Sequence, residues 1–263
     1  MQALPTRIRG PVAVIGDVHG QADKLAVILE RLEVLPDFAD RWIVFLGDLV
    51  DRGPDPKGVV DMILDLRQHH PRTTVICGNH ELAMGAALGW LPAPEYSPAG
   101  DNWLGVYDSE TTFDSYGATP GDLDDLAEKI PHDHEDLLAE LPWCVEHPDY
   151  FFVHAGLDPN IPFDIQVRAL RQRDFSLARP KWLCSHSLAT NMTVPVGCKQ
   201  TVVTGHVRVP RVTFQDRRMC VDTTGGISGD LSCALLPERR VITSSPEAVS
   251  SGGRSGWKLF RRQ

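Results

Sequence analysis

The sequence predicts an α/β fold: two mixed β-sheets packed together and flanked by helices, with a βαβαβ N-terminal half. Three observations predict it. Before Trp90, a short β-branched run ending in glycine is followed three times by a segment with helical spacing of apolar residues. The first residue after each glycine is Asp17, Asp48 and Asn79, an interval of 31 residues both times, so each lies one βα unit beyond the last. After Pro142, strand-like runs recur at close spacing, which suggests a second, largely antiparallel sheet packed on the first.

The elements follow in order. Residues 12–16 (VAVIG) form a strand, and Leu25, Ile28, Leu29 and Leu32 recur at helical spacing behind it. Residues 42–47 form a second strand. Pro56 then opens a helix whose apolar face carries Val59, Val60, Ile63, Leu64 and Leu66. A third strand at 73–78 leads into a helix over 81–88. From about 90 to 136 the periodicity fades into Pro, Gly, Asp and aromatic residues, which reads as an irregular excursion or lid within one domain. Strands are expected at 143–146 and 150–153, around the turn His147-Pro148-Asp149, and again at 201–205, 211–215, 219–222 and 231–236. We take residues 1–243 as a single domain and 244–263, rich in Ser and Gly, as a fraying tail.

Composition narrows the function classes. Over 263 residues, 42% hydrophobic and 23% charged content are values of a packed globular chain, and the apolar runs are too short to cross a bilayer. The N-terminus lacks the apolar stretch of a secretory signal. Six scattered cysteines without a CxxC pair read as buried free thiols, consistent with the cytoplasm. A net charge of -9 argues against nucleic acid as a partner. The charge is concentrated: residues 95–136 hold twelve acids against one base, Lys129, and that segment contributes -11.

The strand-end loops carry the chemistry. They read GDVHG (16–20), GDLVDRG (47–53) and GNHE (78–81). In a parallel sheet the carboxyl ends of neighbouring strands share one edge, so Asp17, His19, Asp48 and Asn79 are expected to converge there. Taken singly, such loops cap helices as readily as they bind ligands. Together they offer oxygen and imidazole donors with no thiolate, a set suited to Mn, Fe or Zn, with Mg and Co also compatible.

These loops, continued by VHAG (153–156), TGH (204–206) and VDTTGG (221–226), resemble the phosphoprotein phosphatase family of calcineurin-like metallophosphoesterases. That family includes bacterial serine/threonine protein phosphatases and symmetrical diadenosine tetraphosphatases. The resemblance implies two divalent cations, manganese first, with Asp17, His19 and Asp48 on one, Asp48, Asn79, His154 and His206 on the other, and Asp48 bridging. A hydroxide generated between the ions would attack phosphorus, and the ions outweigh the carboxylates, leaving a positive pocket for a phosphate. His80 becomes the general acid, oriented by Asp51, whose charge would raise the imidazole pKa. Arg52 matches a phosphate clamp. In LRQRDF (170–175), Arg173 aligns with the second clamp, with Arg168 and Arg171 as alternatives. Glu81 is expected to support the His80 loop, and Asp222 to brace a ligand histidine. His69, His70, His132, His134, His147 and His186 are expected in solvated positions.

The expected function is a metal-dependent serine/threonine phosphoprotein phosphatase, tyrosine not being distinguished by the metal motif. The alternative is a symmetrical diadenosine tetraphosphate hydrolase, and a third reading is an inactive phosphate-binding scaffold. The acid-rich segment tilts the expectation toward a phosphorylated protein or peptide, because a nucleotide pocket calls for basic groups.

Overall fold

A computed structural model describes residues 3–92, 99–177 and 179–246. Its first half alternates as the periodicity predicts: β1 (Val12–Ile15), α1 (Ala22–Glu33), β2 (Trp42–Phe45), α2 (Pro56–His69), β3 (Thr73–Val75) and α3 (Asn79–Ala87). Local signals explain the boundaries. Asp55 caps α2 by accepting the Gly58 amide at 2.8 Å, and Pro56 occupies the first turn, where a missing N–H costs nothing. The helix α1 buries Leu25, Ile28, Leu29 and Leu32, the four residues its spacing marks.

The segment expected to be irregular holds four short helices among its described residues: α4 (Ala99–Val106), α5 (Glu110–Tyr116), α6 (Leu123–Lys129) and α7 (His132–Ala139). Each is about two turns long, too short for an apolar period to register, and each buries only a few side chains, such as Trp103, Phe113 and Leu126. Glu95 and residues 247–263 of the expected tail lie outside the described residues.

The chain continues through β4 (Cys144–Glu146), β5 (Tyr150–Val153), α8 (Phe163–Gln172), α9 (Lys181–Cys184), α10 (His186–Thr190), β6 (Thr201–Thr204), β7 (Thr213–Phe214), β8 (Arg218–Cys220), β9 (Ser232–Leu236) and β10 (Arg240–Thr243). Two five-stranded sheets result, ordered β10-β9-β1-β2-β3 and β4-β5-β6-β8-β7. The second sheet is mixed rather than largely antiparallel, since β5, β6 and β8 run parallel. The run at 231–236 leaves it altogether: β9 pairs antiparallel with β1 in the first sheet. An apolar strand advertises burial but not its partner, and here the closing hairpin β9–β10 covers the otherwise open β1 edge.

Alternation within the strands separates two cores. Val12, Val14, Val44 and Leu46 meet Val145, Phe152, Val203 and Met219 between the sheets. Ala13, Ile15, Ile43 and Phe45 face the helices instead, with Leu25, Ile28 and Ile63. Each such aliphatic side chain, when fully buried, contributes roughly 1.5–3 kcal/mol of transfer free energy. The packing holds the carboxyl ends of β1, β2, β3, β5 and β6 near one another. Among the described residues no helix is long and apolar enough to cross a membrane.

Candidate metal centre

Five strand-end loops deliver polar side chains to one buried place. Asp17 follows β1, Asp48 follows β2, Asn79 follows β3, His154 follows β5 and His206 follows β6. Their atoms converge on the carboxylate of Asp48. Its Oδ2 lies 3.5 Å from His19 Nε2 and 3.3 Å from His154 Nε2. Asn79 Oδ1 is 3.0 Å from His154 Nε2 and 2.7 Å from His206 Nδ1. Two groups of donor atoms, each mutually within 4.8 Å, share Asp48: one with His154 and His206, one with His19 and His80.

Backbone contacts aim these donors. His19 Nδ1–H donates to Val50 O at 2.9 Å and His154 Nδ1–H to Leu46 O at 2.7 Å, so each ring presents its Nε2 lone pair to the site. Tyr107 shares a hydrogen bond with Asn79. His19, Asp48 and His206 adopt left-handed backbone with φ of 45°, 49° and 68°, a strain of order 1 kcal/mol or more each that clusters at functional sites. Gly78 and Gly205 are there because a Cβ would collide with Asp48 Oδ1 and Asp17 Oδ1 respectively.

The electrostatics fit divalent cations. Asp17, Asp48, Asp51, Glu81 and Asp222 are all at most 2% exposed. Burial pushes the Asp17 carboxyl well above its ordinary value, and the charges of Asp222 and Asp48 push the same way. Burial opposes ionisation of Asp48 too, but the adjacent His154 and His80 outweigh it and hold its pKa well below the usual range. Burial drives His19 and His206 down to about 3, keeping them neutral as ligation requires; His154, beside Asp48, is carried up to about 10 against its own burial. Asp17 Oδ1 and Asp222 Oδ2 are buried with no hydrogen-bond partner. Buried carboxyl groups with orphaned oxygens, grouped with three imidazoles and an amide oxygen, make a donor set suited to hard or borderline divalent cations.

His80 and Asp51 form a second buried unit. His80 Nδ1 lies 2.7 Å from Asp51 Oδ2, while His80 Nε2 faces Asp48 Oδ2 at 3.9 Å. The expectation that Asp51 raises the His80 pKa does not hold: burial pushes the imidazole down to about 4 and the Asp51 carboxyl well up. Burial thus resists the charged form of both groups, and the short Nδ1–Oδ2 hydrogen bond joins them. Arg52 donates to Gly225 O at 2.7 Å and reaches His19 Nε2 at 3.2 Å, at the edge of the centre.

Glu81 staples two of the loops. Its carboxylate accepts the amides of Asp48 and Gly78, both at 2.9 Å, and of Leu49 at 2.6 Å. Glu81→Ala leaves those buried donors unpartnered at about 1–3 kcal/mol each, so the unfolding free energy measured in urea is expected to fall by about 3 kcal/mol or more. Glu81→Gln, which keeps one acceptor oxygen but turns an NH2 toward the amides at the other, is expected to lose less than Glu81→Ala without matching the parent; an unchanged midpoint in Glu81→Ala would contradict the stapling role.

Other expected residues lie elsewhere. Arg173 ends α8, where its guanidinium donates to Ala139 O at 2.8 Å, approaches Glu140 at 3.8 Å and covers the Phe175 ring. It lines a separate cavity of about 740 Å³ with Arg7, Arg67 and Arg171, and none of its contacts is a ligand residue. Arg171 pairs with Glu146, and Arg168 stays with Asp164 on its own helix. Motif spacing could not show that the α8 C-terminus turns Arg173 toward α7. Arg179, which sequence reasoning missed, exerts its charge on Tyr107. Asp222 braces no histidine: its Oδ1 accepts the Thr224 and Gly225 amides and shapes the closing loop. His70, His134 and His147 are buried rather than solvated, bonding Arg41 O, Tyr116 and Gly10 O.

The family model for calcineurin-like phosphoesterases matches residues 10–224, from ahead of β1 through the Asp222 loop. The chain belongs to the calcineurin-like phosphoesterase family. Among its relatives, a symmetrical bis(5'-nucleosyl)-tetraphosphatase of Janthinobacterium sp. (strain Marseille) is 27% identical over 169 residues, 64% of this chain and 52% of that protein. The chain thus spans about half the length of that curated relative. A protein phosphatase 2A catalytic subunit of Dictyostelium discoideum is 40% identical over 75 residues, 28% of this chain and 23% of that one. The crystal structure of a putative diadenosine tetraphosphatase superposes with a TM-score of 0.59 at 23% identity, covering 92% of this chain and 97% of the other, a likeness of fold. The calcineurin-like phosphoesterase assignment accounts for both mixed sheets.

Proposed function

We propose that the chain is a metal-dependent phosphoesterase that hydrolyses phosphomonoesters of protein side chains. The observation that carries this reading is Asp48 Oδ2, shared between two groups of imidazole and carboxylate donors in a place otherwise unfit for so many carboxylates. Asp17, His19 and Asp48 would hold one cation, and Asp48, Asn79, His154 and His206 the other. Bound there, two divalent ions, manganese first and Fe, Zn, Co or Mg as alternatives, supply Lewis acidity that activates water and neutralises phosphoryl charge. Arg52 binds the phosphoryl oxygens from the rim. His80 gives its Nε2 proton to the leaving oxygen while Asp51 holds Nδ1. We place this chemistry in one unit, residues 1–243, and in the cytoplasm, a compartment that six free buried cysteines suit.

The acid-rich segment supports a protein substrate. Asp108 follows α4 beside the centre, its carbonyl accepting the Arg52 amide, and Asp101, Glu110 and Asp114 are exposed on α4 and α5. Such a border attracts basic residues flanking a phosphosite and repels a polyphosphate. A second reading, symmetrical hydrolysis of diadenosine tetraphosphate, is supported by the names of the curated relatives. A side-by-side assay of the manganese-supplied chain is expected to give higher kcat/KM on phosphoserine or phosphothreonine peptides with basic flanks than on diadenosine tetraphosphate. The reverse order would move the assignment to the nucleotide.

A further inference from the structure

We propose that Trp103 and Thr112, from the acid-rich helices α4 and α5, are positioning residues that hold Asp51, and through it His80, in line with the leaving oxygen. The proposal rests on the reading of His80 as the general acid. Asp51 and Arg52 are consecutive non-glycine residues in left-handed backbone, φ 68° and 65°, a turn that does not hold itself. The acid-rich segment holds it at four points. Thr112 Oγ1 accepts the Asp51 amide at 3.1 Å and donates to Asp51 Oδ1 at 2.6 Å. Trp103 Nε1–H donates to Asp51 Oδ2 at 2.8 Å, the oxygen that His80 Nδ1 meets. Asp108 O accepts the Arg52 amide at 3.2 Å.

Both side chains are fully buried, and no ordinary packing role explains their polar ends. Trp103 stacks on Phe113 with centroids 5.5 Å apart, which aims its N–H, and Thr112 is 0% exposed. Tyr107, also from this segment, places its ring edge-on against His80 at 4.6 Å. One side of the His80 imidazole, two contacts on the Asp51 carboxylate and one on the Asp51 amide therefore come from residues 103–112. In the step served, the P–O bond breaks with its electron pair moving to the leaving oxygen, which takes the His80 Nε2 proton; water supplies the oxygen gained by phosphorus. A His80 ring free to swing delivers that proton poorly, and only a leaving group that needs it suffers.

The test compares Thr112→Val, Thr112→Ser and Trp103→Phe with the parent on phenyl phosphate, a poor leaving group, and 2,4-dinitrophenyl phosphate, an activated one. Thr112→Val and Trp103→Phe are expected to lose about 10- to 100-fold in kcat on phenyl phosphate with little change in KM or metal content. The loss on the dinitrophenyl ester is expected within about threefold, and Thr112→Ser restores turnover. In an Asp51→Asn background Thr112→Val is expected to add nothing further, since both act through one path. Equal losses on the two esters, or full additivity with Asp51→Asn, would overturn the proposal. A readout independent of turnover is the downfield proton resonance of the His80–Asp51 hydrogen bond, assigned by its absence in His80→Asn. It should be lost or shifted in Thr112→Val and retained in Thr112→Ser, and its persistence unchanged in Thr112→Val overturns the positioning role. Should the parent hydrolyse neither ester, the phosphomonoesterase reading falls while this resonance still decides the placement of His80.

Discussion

Asp48→Asn is expected to lower metal content at both positions and to reduce turnover by about 10²- to 10³-fold or more, the scale of losing a principal charge stabiliser. The two donor groups have only this residue in common, and its Oδ2 is the atom that faces both. The substitution keeps the shape, and Oδ1, which accepts the His80 amide at 3.1 Å, has an isosteric counterpart in the amide oxygen. Relief of like charge on Asp17, Glu81 and Asp222, whose carboxyls Asp48 pushes upward, offsets the lost pairing with His154. The variant should therefore fold. Metal analysis by plasma mass spectrometry and turnover on an aryl phosphate check both halves; two ions per chain with parental turnover would contradict the bridging assignment.

His80→Asn is expected to act on the chemistry and not on the metals. Its ring atoms meet Asp51 and Tyr107 rather than serving as one of the six expected ligands, so metal content should stay near the parent's. Turnover of an alkyl phosphate or phenyl phosphate should fall by about 10²- to 10⁴-fold, the contribution of a placed general acid. An activated aryl phosphate, which leaves as an anion unaided, should lose about tenfold or less. Equal losses on both substrates would remove His80 from the acid role, and lost metal would make it a ligand, as its grouping with His19 and Asp48 allows.

Much of the centre was legible because strand ends are. A parallel strand must deliver the residue after it to a common edge, so the spacing of Asp17, Asp48 and Asn79 carried spatial information with no knowledge of side-chain packing. His154 and His206 follow the same rule from the second sheet, but their strands are short and their place emerged from the motif resemblance. What could not be read was pairing. Nothing in the composition of residues 231–236 distinguishes a strand that joins β1 from one that joins β8, because both choices bury the same apolar faces. The placement of Arg173 was hidden for a related reason: it closes α8 in left-handed backbone, and its guanidinium lies on Ala139 O and the Phe175 ring. Trp103 and Thr112 were invisible because a buried tryptophan and threonine in short helices look like packing until their N–H and O–H are seen to end on one carboxylate. The buried His70, His134 and His147 carry the same lesson, since each looks solvated until its hydrogen-bond partner is known.

On this reading, residues from five loops meet around two cations with Asp48 between them. Anomalous diffraction at the manganese edge, from crystals of the full chain grown with manganese, tests it most directly. Two peaks are expected, one bounded by Asp17, His19 and Asp48 and the other by Asp48, Asn79, His154 and His206. A single peak that leaves Asp48 unshared, or none at these side chains, would contradict it.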